Sequence, residues 1–463
     1  MHELQLALDA LRDQLAGARK ESDELRLEVQ NLRQQFEALQ RASAQPAVPT
    51  AGEPDLGHRI GALAEEQELL GAKVDDQEQT KVESGSKYHV RLSGLALLNA
   101  VGVRGSVDNL DLPGVAQPRA PGDSGGSVGA AVRQSFLNLE VFGPLLDGAR
   151  TAGSLTFDFF GGFPATGDGV SSPLVRLRTV TFSLEWQHTS VMAGQDVPFF
   201  SPRSPTSLSS TAYPALSSAG NIWAWTPQIH VDRRIALSAD STIVVQGGIL
   251  DPLTGELPAR EYSRVPTAGE RSRIPAEAVR VGWQRTAHDR VTALGAGAYH
   301  ANQDWGFGRT VGAWAATADW DVPLGPWFAL SGELYRGHAI AGLGGGASDS
   351  VLFDGPTGAS TSSLLAVDSA GGWSQLKFKP MSRVEFNGAF GQDTPSRTPL
   401  RRFLGAGSDG SAVNRNASAF LNTIYQARSN LVFALEYRRL WTTSLYDTRQ
   451  AADHLSFCAG IVF

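Results

Sequence analysis

The sequence has almost no cysteine and no long hydrophobic run. Cys458 is the one cysteine among 463 residues, which excludes an intrachain disulfide framework and a zinc site built on several thiolates. No stretch approaches the roughly 18 apolar residues that a membrane helix requires. A spanning β-strand needs only about 9 to 11 residues with alternating faces. The absence of apolar runs therefore leaves a membrane β-barrel open.

The sequence also has no basic face. Its net charge is −7, and the acidic excess lies in residues 1–84, which carry 9 Lys+Arg against 17 Asp+Glu. Residues 85–463 carry 31 against 30 and are nearly neutral. We therefore expect no nucleic-acid partner. The chain starts directly in a helical pattern, without the apolar core of a secretion signal, and we expect the export signal to lie upstream.

No set of residues predicts an enzyme. Residues 122–126 read Gly-Asp-Ser-Gly-Gly, as around the nucleophile of some serine proteases, but the histidines before Ser124 are few and two of them fall in predicted helix. The glycines of 342–346 lack the lysine of a phosphate-binding loop. No HExxH pattern and no cluster with metal-ligand spacing occurs. We predict no catalytic residues, no metal and no cofactor.

The N-terminal segment has the apolar spacing of a coiled coil. Positions four and three residues apart repeat without a break at Leu4, Leu8, Leu11, Leu15, Ala18, Ser22, Leu25, Val29, Leu32, Phe36 and Leu39. In a parallel bundle Glu21 can reach Arg26 of a neighbour, a match that an antiparallel pair would lose. The number of helices in the bundle stays open.

Prolines divide this segment in two. We predict helices over 1–43 and 55–82, separated by a Pro-rich break at 44–54. Together they form a predicted coiled-coil domain, 1–84, which mediates self-association. An amphipathic helix that folds against its own domain is the alternative.

From Ser86 the period changes to two, which predicts β-strands. Sixteen strands fit, at about 86–99, 131–142, 152–162, 175–186, 189–195, 222–233, 238–250, 276–286, 290–301, 309–321, 326–340, 370–380, 382–392, 416–428, 429–442 and 452–463. Short links follow the even-numbered strands and long links the odd-numbered ones, as in bacterial barrels with short periplasmic turns. The predicted fold class is all-β: a 16-stranded antiparallel outer-membrane barrel over 85–463.

The last predicted strand has the clearest alternation. Leu455, Phe457, Ile461 and Phe463 share one face, while the other face carries small and polar residues. Such a terminal aromatic resembles the signal that outer-membrane assembly machinery reads, so Phe463 is the predicted assembly signal. Both chain ends then lie in the periplasm. Trp223, Trp225, Trp283, Trp320, Trp327 and Trp441 fall near strand ends and suggest aromatic girdles.

The lumen of such a barrel is an aqueous channel, so function resides in its charges and its narrowest point. The Pro- and Ser-rich connection at about 196–221 is the predicted third external loop and constriction. The candidate pore-lining residues are Arg91, Asp158, Glu185, Arg203, Asp232, Arg280, Glu333, Lys377, Lys379, Glu385, Glu436 and Arg438. We expect a mild anion preference, although each charge could also be solvated without a selective effect.

Several short fragments, in order, resemble the DcaP-like trimeric porins of Gram-negative outer membranes. They are Lys87-Tyr88, Leu92-Ser93-Gly94, 109–113, Phe157-Asp158-Phe159-Phe160-Gly161, Gly194-Gln195-Asp196 and Pro227-Gln228-Ile229. The resemblance covers nearly the whole chain. It implies a homotrimer with one pore in each subunit, and uptake of small, often anionic solutes such as dicarboxylates.

The resemblance also implies the partners and the location of the protein. Its partners would be membrane lipid and lipopolysaccharide, further copies of itself, small hydrophilic solutes and the assembly machinery. It would lie in the bacterial outer membrane with its coiled coil in the periplasm. Two alternatives remain open: a non-conducting barrel that acts as an adhesin or envelope anchor, and an outer-membrane enzyme such as a lipase or protease.

Overall fold

A computed structural model describes residues 88–164, 172–256, 264–347, 349–404, 412–446 and 448–463. The predicted coiled coil at 1–84, with its Pro-rich break, lies outside the described residues and stays a prediction. The described helices are Ala268–Arg271, Arg397–Leu404 and the 3₁₀ turn Ala341–Leu343. Each of these described helices falls short of the length and apolar character that crossing a membrane demands.

Strands make up most of the described chain. In chain order they are β1 (His89–Arg104), β2 (Ser106–Val107), β3 (Ala116–Gln117), β4 (Gly126–Ala131), β5 (Phe136–Leu146), β6 (Ala149–Asp158), β7 (Arg176–Glu185), β8 (Thr189–Asp196), β9 (Thr226–Ala236), β10 (Ser241–Leu250), β11 (Ala276–Ala287), β12 (Arg290–Asp304), β13 (Thr310–Pro323), β14 (Phe328–His338), β15 (Val351–Phe353), β16 (Leu364–Ala366), β17 (Asp368–Met381), β18 (Val384–Pro395), β19 (Val413–Gln426), β20 (Leu431–Ser444) and β21 (Arg449–Val462). The pairs β2–β3 and β15–β16 form small separate sheets.

The remaining strands form one closed antiparallel barrel. Strands β4 and β5 pair with successive parts of β1 and act as two halves of one barrel strand. Each later strand pairs with the next, and β21 returns to pair with β1 from Leu95↔Val462 to Arg104↔Asp453. The barrel therefore has 16 strands, and the predicted fold class is confirmed for this part of the chain.

The two faces of the sheet differ in the way the alternation predicts. On β21, Leu455, Phe457 and Ile461 are exposed, while His454, Ser456 and Cys458 between them are buried. On β20, Leu435 and Tyr437 are exposed, and Glu436 and Arg438 are buried. The outer face thus presents a broad apolar surface, and the inner face is polar. A soluble protein rarely exposes so large an apolar surface, whereas a barrel in lipid requires one.

The hairpins at one end of the barrel are tight. Asp147-Gly148 and His288-Asp289 are two-residue turns with positive φ at both positions, the conformation that matches strand twist. The other connections at this end are 186–188, 237–240, 324–327, 382–383 and 427–430. Most connections at the opposite end are longer, at 105–125, 159–175, 197–225, 251–275, 339–367 and 396–412.

Three details of the sequence prediction are wrong. The connections 305–309 and 445–448 are short although they follow odd-numbered barrel strands, because β12, β20 and β21 extend beyond their predicted ends. The strand predicted from residue 222 begins only at Thr226, because the amides of Trp223 and Ala224 donate to the Leu343 carbonyl instead of joining the sheet. Trp223 and Trp225 therefore lie inside the protein and not in an aromatic girdle.

The chain terminus completes the seam that closes the barrel. Phe463 donates from its amide to the Gly94 carbonyl at 3.1 Å and accepts from the Gly94 amide at 2.8 Å. A Cβ added to Gly94 would stand 2.6 Å from the Phe136 carbonyl oxygen and 2.9 Å from the Phe463 ring. Glycine at this position lets three strands and the terminal ring approach one another.

We therefore expect Gly94→Val to destabilise the barrel by about 1–3 kcal/mol, because the added atoms force the closing strands apart. The measurement is the urea midpoint of unfolding in detergent, followed by the heat-modifiable shift in gel mobility. Gly102→Val is the control, since Gly102 lies on the same strand and its added Cβ meets nothing within 4 Å. Equal midpoints for the two variants would contradict this account of the seam.

Candidate functional site: the third external loop and the inner wall

The connection 197–225, which we call the third loop, is buried within the barrel. Phe200, Ser201, Ala212 and Asn221 are fully buried, whereas connecting loops normally run over a protein surface. Phe199 and Phe200 pack in a cluster with Tyr299 of β12 and Leu343. Farther along, Leu216 and Ala219 pack against Trp373 and Phe420 of the wall. The third loop thus crosses the interior of the barrel.

The first half of the third loop is held by charged groups of β11, β13 and β14. The Arg203 guanidinium donates to the Asp319 carboxylate at 2.6 Å. Arg280 donates to both oxygens of the same carboxylate, at 2.8 and 2.9 Å. Ser201 donates to Glu333, and Thr317 donates to the Phe200 carbonyl at 2.7 Å. These bonds fix the loop against the wall.

Asp319 is the centre of that attachment. Its side chain is 0% exposed, against 9% for Arg280 and 20% for Arg203. Arg203 also lies 3.3 Å from Asp321, whose side chain is 46% exposed. Two guanidinium groups therefore face two carboxylates. The charges of Arg203 and Arg280 are compensated locally, and the cluster acts first as a clamp on the loop.

The second attachment is made by β17, β20 and Gln134. The Thr206 amide donates to the Gln375 side chain at 2.6 Å. Ser207 donates to Glu436, and Arg438 donates to Ser210 at 2.6 Å while also pairing with Glu436 at 2.7 Å. Gln134, just before β5, binds the loop as well. The third loop is thus tied along its length and not only at its ends.

A polar cavity of about 320 Å³ lies between the third loop and the inner wall. Its lining includes Arg203, Thr206, Asp321, Gln375 and Lys377. Both signs of charge and several neutral donors and acceptors face this space, so it suits small hydrophilic molecules and offers little apolar surface.

A group of arginines and aromatic rings forms the wall near β5 to β7. Arg133 lies 3.8 Å from the centre of the Phe160 ring and pairs with Asp111. Arg176 lies 4.6 Å from the Tyr213 ring and 5.1 Å from the Trp225 ring. Arg178 lies 4.9 Å from the Trp225 ring. Tyr213 and Trp225 stack with their centres 5.9 Å apart.

The structure brings together six of the predicted pore-lining residues at or beside the third loop. They are Asp158, Arg203, Arg280, Glu333, Glu436 and Arg438. Asp158 pairs with Arg176, which also donates to the Ala212 carbonyl of the loop. Each of these side chains is mostly buried, so their first role is structural.

The other predicted residues lie elsewhere on the inner wall. Asp232 accepts hydrogen bonds from Gln246 and Ser190. Three contacts pair further predicted residues with a neighbour of opposite charge: Arg91–Glu140 at 3.4 Å, Glu185–Arg150 at 3.5 Å and Lys377–Glu385 at 3.1 Å. Lys379 is exposed. Arg91, Glu185 and Lys379 are more exposed than the six side chains at or beside the third loop.

Sequence reasoning missed Asp319, Arg176 and Arg178. Asp319 could have been found, because it alternates onto the inner face of a predicted strand. Arg176 and Arg178 could not, because a register shift between Thr156 and Phe157 of β6 changes the alternation along β7. Strict alternation along β7, counted from an inward Glu185, would point both Arg176 and Arg178 outward.

Two other expectations concern chemistry. The Ser124 hydroxyl of the protease-like motif is exposed and donates to the Gly126 carbonyl at 2.8 Å, as in an ordinary turn. Within the described ranges, no group of three or more His, Cys, Asp or Glu side chains could hold a metal ion.

A closed antiparallel barrel with an apolar outer face, a polar interior and an inserted loop is the architecture of outer-membrane barrels of the porin type. No family model and no curated protein matches the chain. The outer-membrane channel DcaP of Acinetobacter baumannii matches with a TM-score of 0.62 at 14% identity, over 82% of this chain and 99% of that one. The chain thus has the fold of the DcaP channel, and the resemblance stated from the sequence is confirmed at the level of the fold.

Two further solved structures match less closely. OprB of Pseudomonas putida has a TM-score of 0.48 at 10% identity, over 81% of this chain and 94% of that one. An anion-selective porin from Comamonas acidovorans has a TM-score of 0.47 at 11% identity, over 81% of this chain and 100% of that one.

We expect Asp319→Asn to loosen the third loop, because it leaves two largely buried guanidinium groups without their shared carboxylate. Removing one partner of a buried pair costs about 3–5 kcal/mol. The measurement is single-channel current in a planar bilayer, where the variant should show larger open-channel noise and a lower temperature of the gel-mobility shift. Asp321→Asn is the matched control, since its half-exposed carboxylate makes only the longer contact with Arg203. Noise and stability equal to the control would disprove the clamp.

Proposed function

We propose that this protein is an outer-membrane porin for passive diffusion of small hydrophilic solutes, with a preference for anions of the dicarboxylate type. The closed 16-stranded barrel with a polar interior carries the proposal. The fold shared with the DcaP channel supports it. In this proposal the third loop is the constriction, and no cofactor or chemical step takes part.

The distribution of unpaired charge favours anions. Arg234 is exposed and alternates onto the inner face of β9. Lys379 is exposed at the register shift between Phe378 and Met381 of β17. Neither has an acid partner among the described residues. Two inner acids without a basic partner, Glu333 and Asp393, are 0% exposed and bind the hydroxyls of Ser201 and Tyr335. A third, Asp232, is mostly buried and is held by Gln246, Ser190 and His230. A solute in the lumen therefore meets more free positive than free negative charge, which attracts anions.

We also propose that the protein is a homotrimer. The heptad pattern of 1–43 supports self-association, and the number three comes from the resemblance to trimeric porins. The coiled coil would lie in the periplasm. The apolar outer face would contact lipid and lipopolysaccharide, and Phe463 would be read by the assembly machinery.

The anion preference is tested by the reversal potential of the purified protein in a planar bilayer under a salt gradient. We expect discrete conducting steps and an anion-selective reversal potential, which moves toward zero in the double variant Arg234→Gln with Lys379→Gln. Arg285→Gln is the control, because Arg285 pairs with Asp240 at the tight-turn end. Cation preference in the parent protein would refute the solute class.

The same recording separates a porin from a non-conducting adhesin or anchor. A correctly folded barrel that gives no steps in repeated insertions would contradict the porin proposal itself.

Self-association is tested on a peptide spanning 1–43. We expect a helical oligomer by circular dichroism and sedimentation equilibrium. Leu32→Asp should be a monomer, because burying a carboxylate in the apolar seam costs more free energy than the packing at that position contributes. Gln30→Asp adds the same charge outside the seam and should leave the oligomer intact. A monomeric parent peptide, or equal effects of both changes, would count against the coiled coil.

A further inference from the structure

Arg178 lies beside both ends of the third loop. On β7 it stands next to the position where Val180 pairs with Gln195, close to the end of β8 at Asp196. Thr226 pairs with Asp196, and Trp225 immediately precedes it. The Arg178 guanidinium covers the Trp225 ring at 4.9 Å and lies 6.0 Å from the Phe136 ring. Its half-buried side chain therefore sits where the third loop leaves and rejoins the wall.

The guanidinium of Arg178 has no hydrogen-bond or ion-pair partner in the part of the chain that the structure describes. Its neighbours differ in this respect. Arg176 donates to both oxygens of Asp158 and to the Ala212 carbonyl, and Arg133 donates to Asp111 and Asn109. The nearby carboxylate of Asp196 accepts from the Val197 amide. Three arginines thus share one wall. Arg133 and Arg176 form ion pairs, whereas Arg178 feels the charges of Asp158 and Asp196 without a hydrogen bond or ion pair to either.

Stacking and hydrogen bonding use different parts of a guanidinium. The central carbon of the Arg178 guanidinium lies over the indole of Trp225, 4.9 Å from its centre, and a cation in this position is attracted to the ring. The five N–H donors lie in the plane and point away from the face, in the fork that matches the two oxygens of a carboxylate. A guanidinium with free donors is thus prepared for a planar anion.

We propose that Arg178, held on Trp225, is the docking point for a carboxylate group of the transported solute at the third loop. The proposal rests on the anionic solute class proposed above and names the side chain that recognises it. Small mono- and dicarboxylates fit this chemistry. Neutral amides of the same shape do not, because they cannot accept two charge-assisted hydrogen bonds.

The test uses the full-length protein purified in detergent, with succinate as probe and succinamide as its neutral counterpart. Binding is measured by isothermal titration, and block of single-channel current is measured in a planar bilayer. We expect succinate binding to weaken about tenfold in Arg178→Gln, the loss typical of a hydrogen bond to a charged group. Arg178→Lys should recover part of the affinity, because it keeps the charge and loses the fork.

Arg439→Gln is the matched control. It removes the same charge from the outer wall, where Arg439 pairs with Asp453 at 3.0 Å, and it should leave succinate binding unchanged. The gel-mobility shift verifies folding of each variant. Equal succinate affinity in Arg178→Gln and the parent, or equal binding of succinate and succinamide, would overturn the docking site.

The outcome for this site is distinct from the outcome for the porin proposal. Conducting channels whose succinate affinity does not depend on Arg178 would reject the site and keep the porin. Succinate binding that depends on Arg178 in a barrel without conducting steps would support the site and reject the porin.

Discussion

Closure of the sheet is the constraint on which the rest of the structure depends. In lipid, an unpaired backbone amide or carbonyl costs several kcal/mol, so the first and last strands must complete each other's hydrogen bonds. Here β1 and β21 do so over ten residue pairs, and Phe463 adds a further exchange with Gly94. Closure in turn gives the sheet one face toward lipid and one toward an enclosed space.

The size of the enclosed space determines the role of the charged side chains that face inward. A barrel of this size leaves an interior too wide for wall side chains to fill, and the third loop occupies part of it. Inserting a loop buries backbone groups and charges, which must find partners. Asp319 with its two arginines and Glu436 with Arg438 meet this requirement at two places on the inner wall. Many charges that face inward are therefore committed to holding the loop.

The inward charges that have no partner are the ones that can act on a solute. Around the third loop nearly every acid and base has a partner or is enclosed, so these groups contribute little field to a passing solute. Arg234 and Lys379 lack such partners among the described residues and are exposed, and Arg178 lacks one while its side chain is half-buried. Selectivity in this barrel thus depends less on the number of inward charges than on which of them the packing has left uncompensated.

The sequence by itself determined the barrel, its strand number and the faces of most strands, because a period of two assigns each side chain to lipid or lumen. It also identified six residues that lie in or beside the third loop. Only the tertiary structure decided their roles. The register shift opposite β7 turned Arg176 and Arg178 inward, and the late start of β9 placed Trp225 beneath Arg178. Asp319 meets Arg203 across 116 positions of sequence. Local patterns cannot encode such contacts, because pairing between distant segments depends on the closed barrel as a whole.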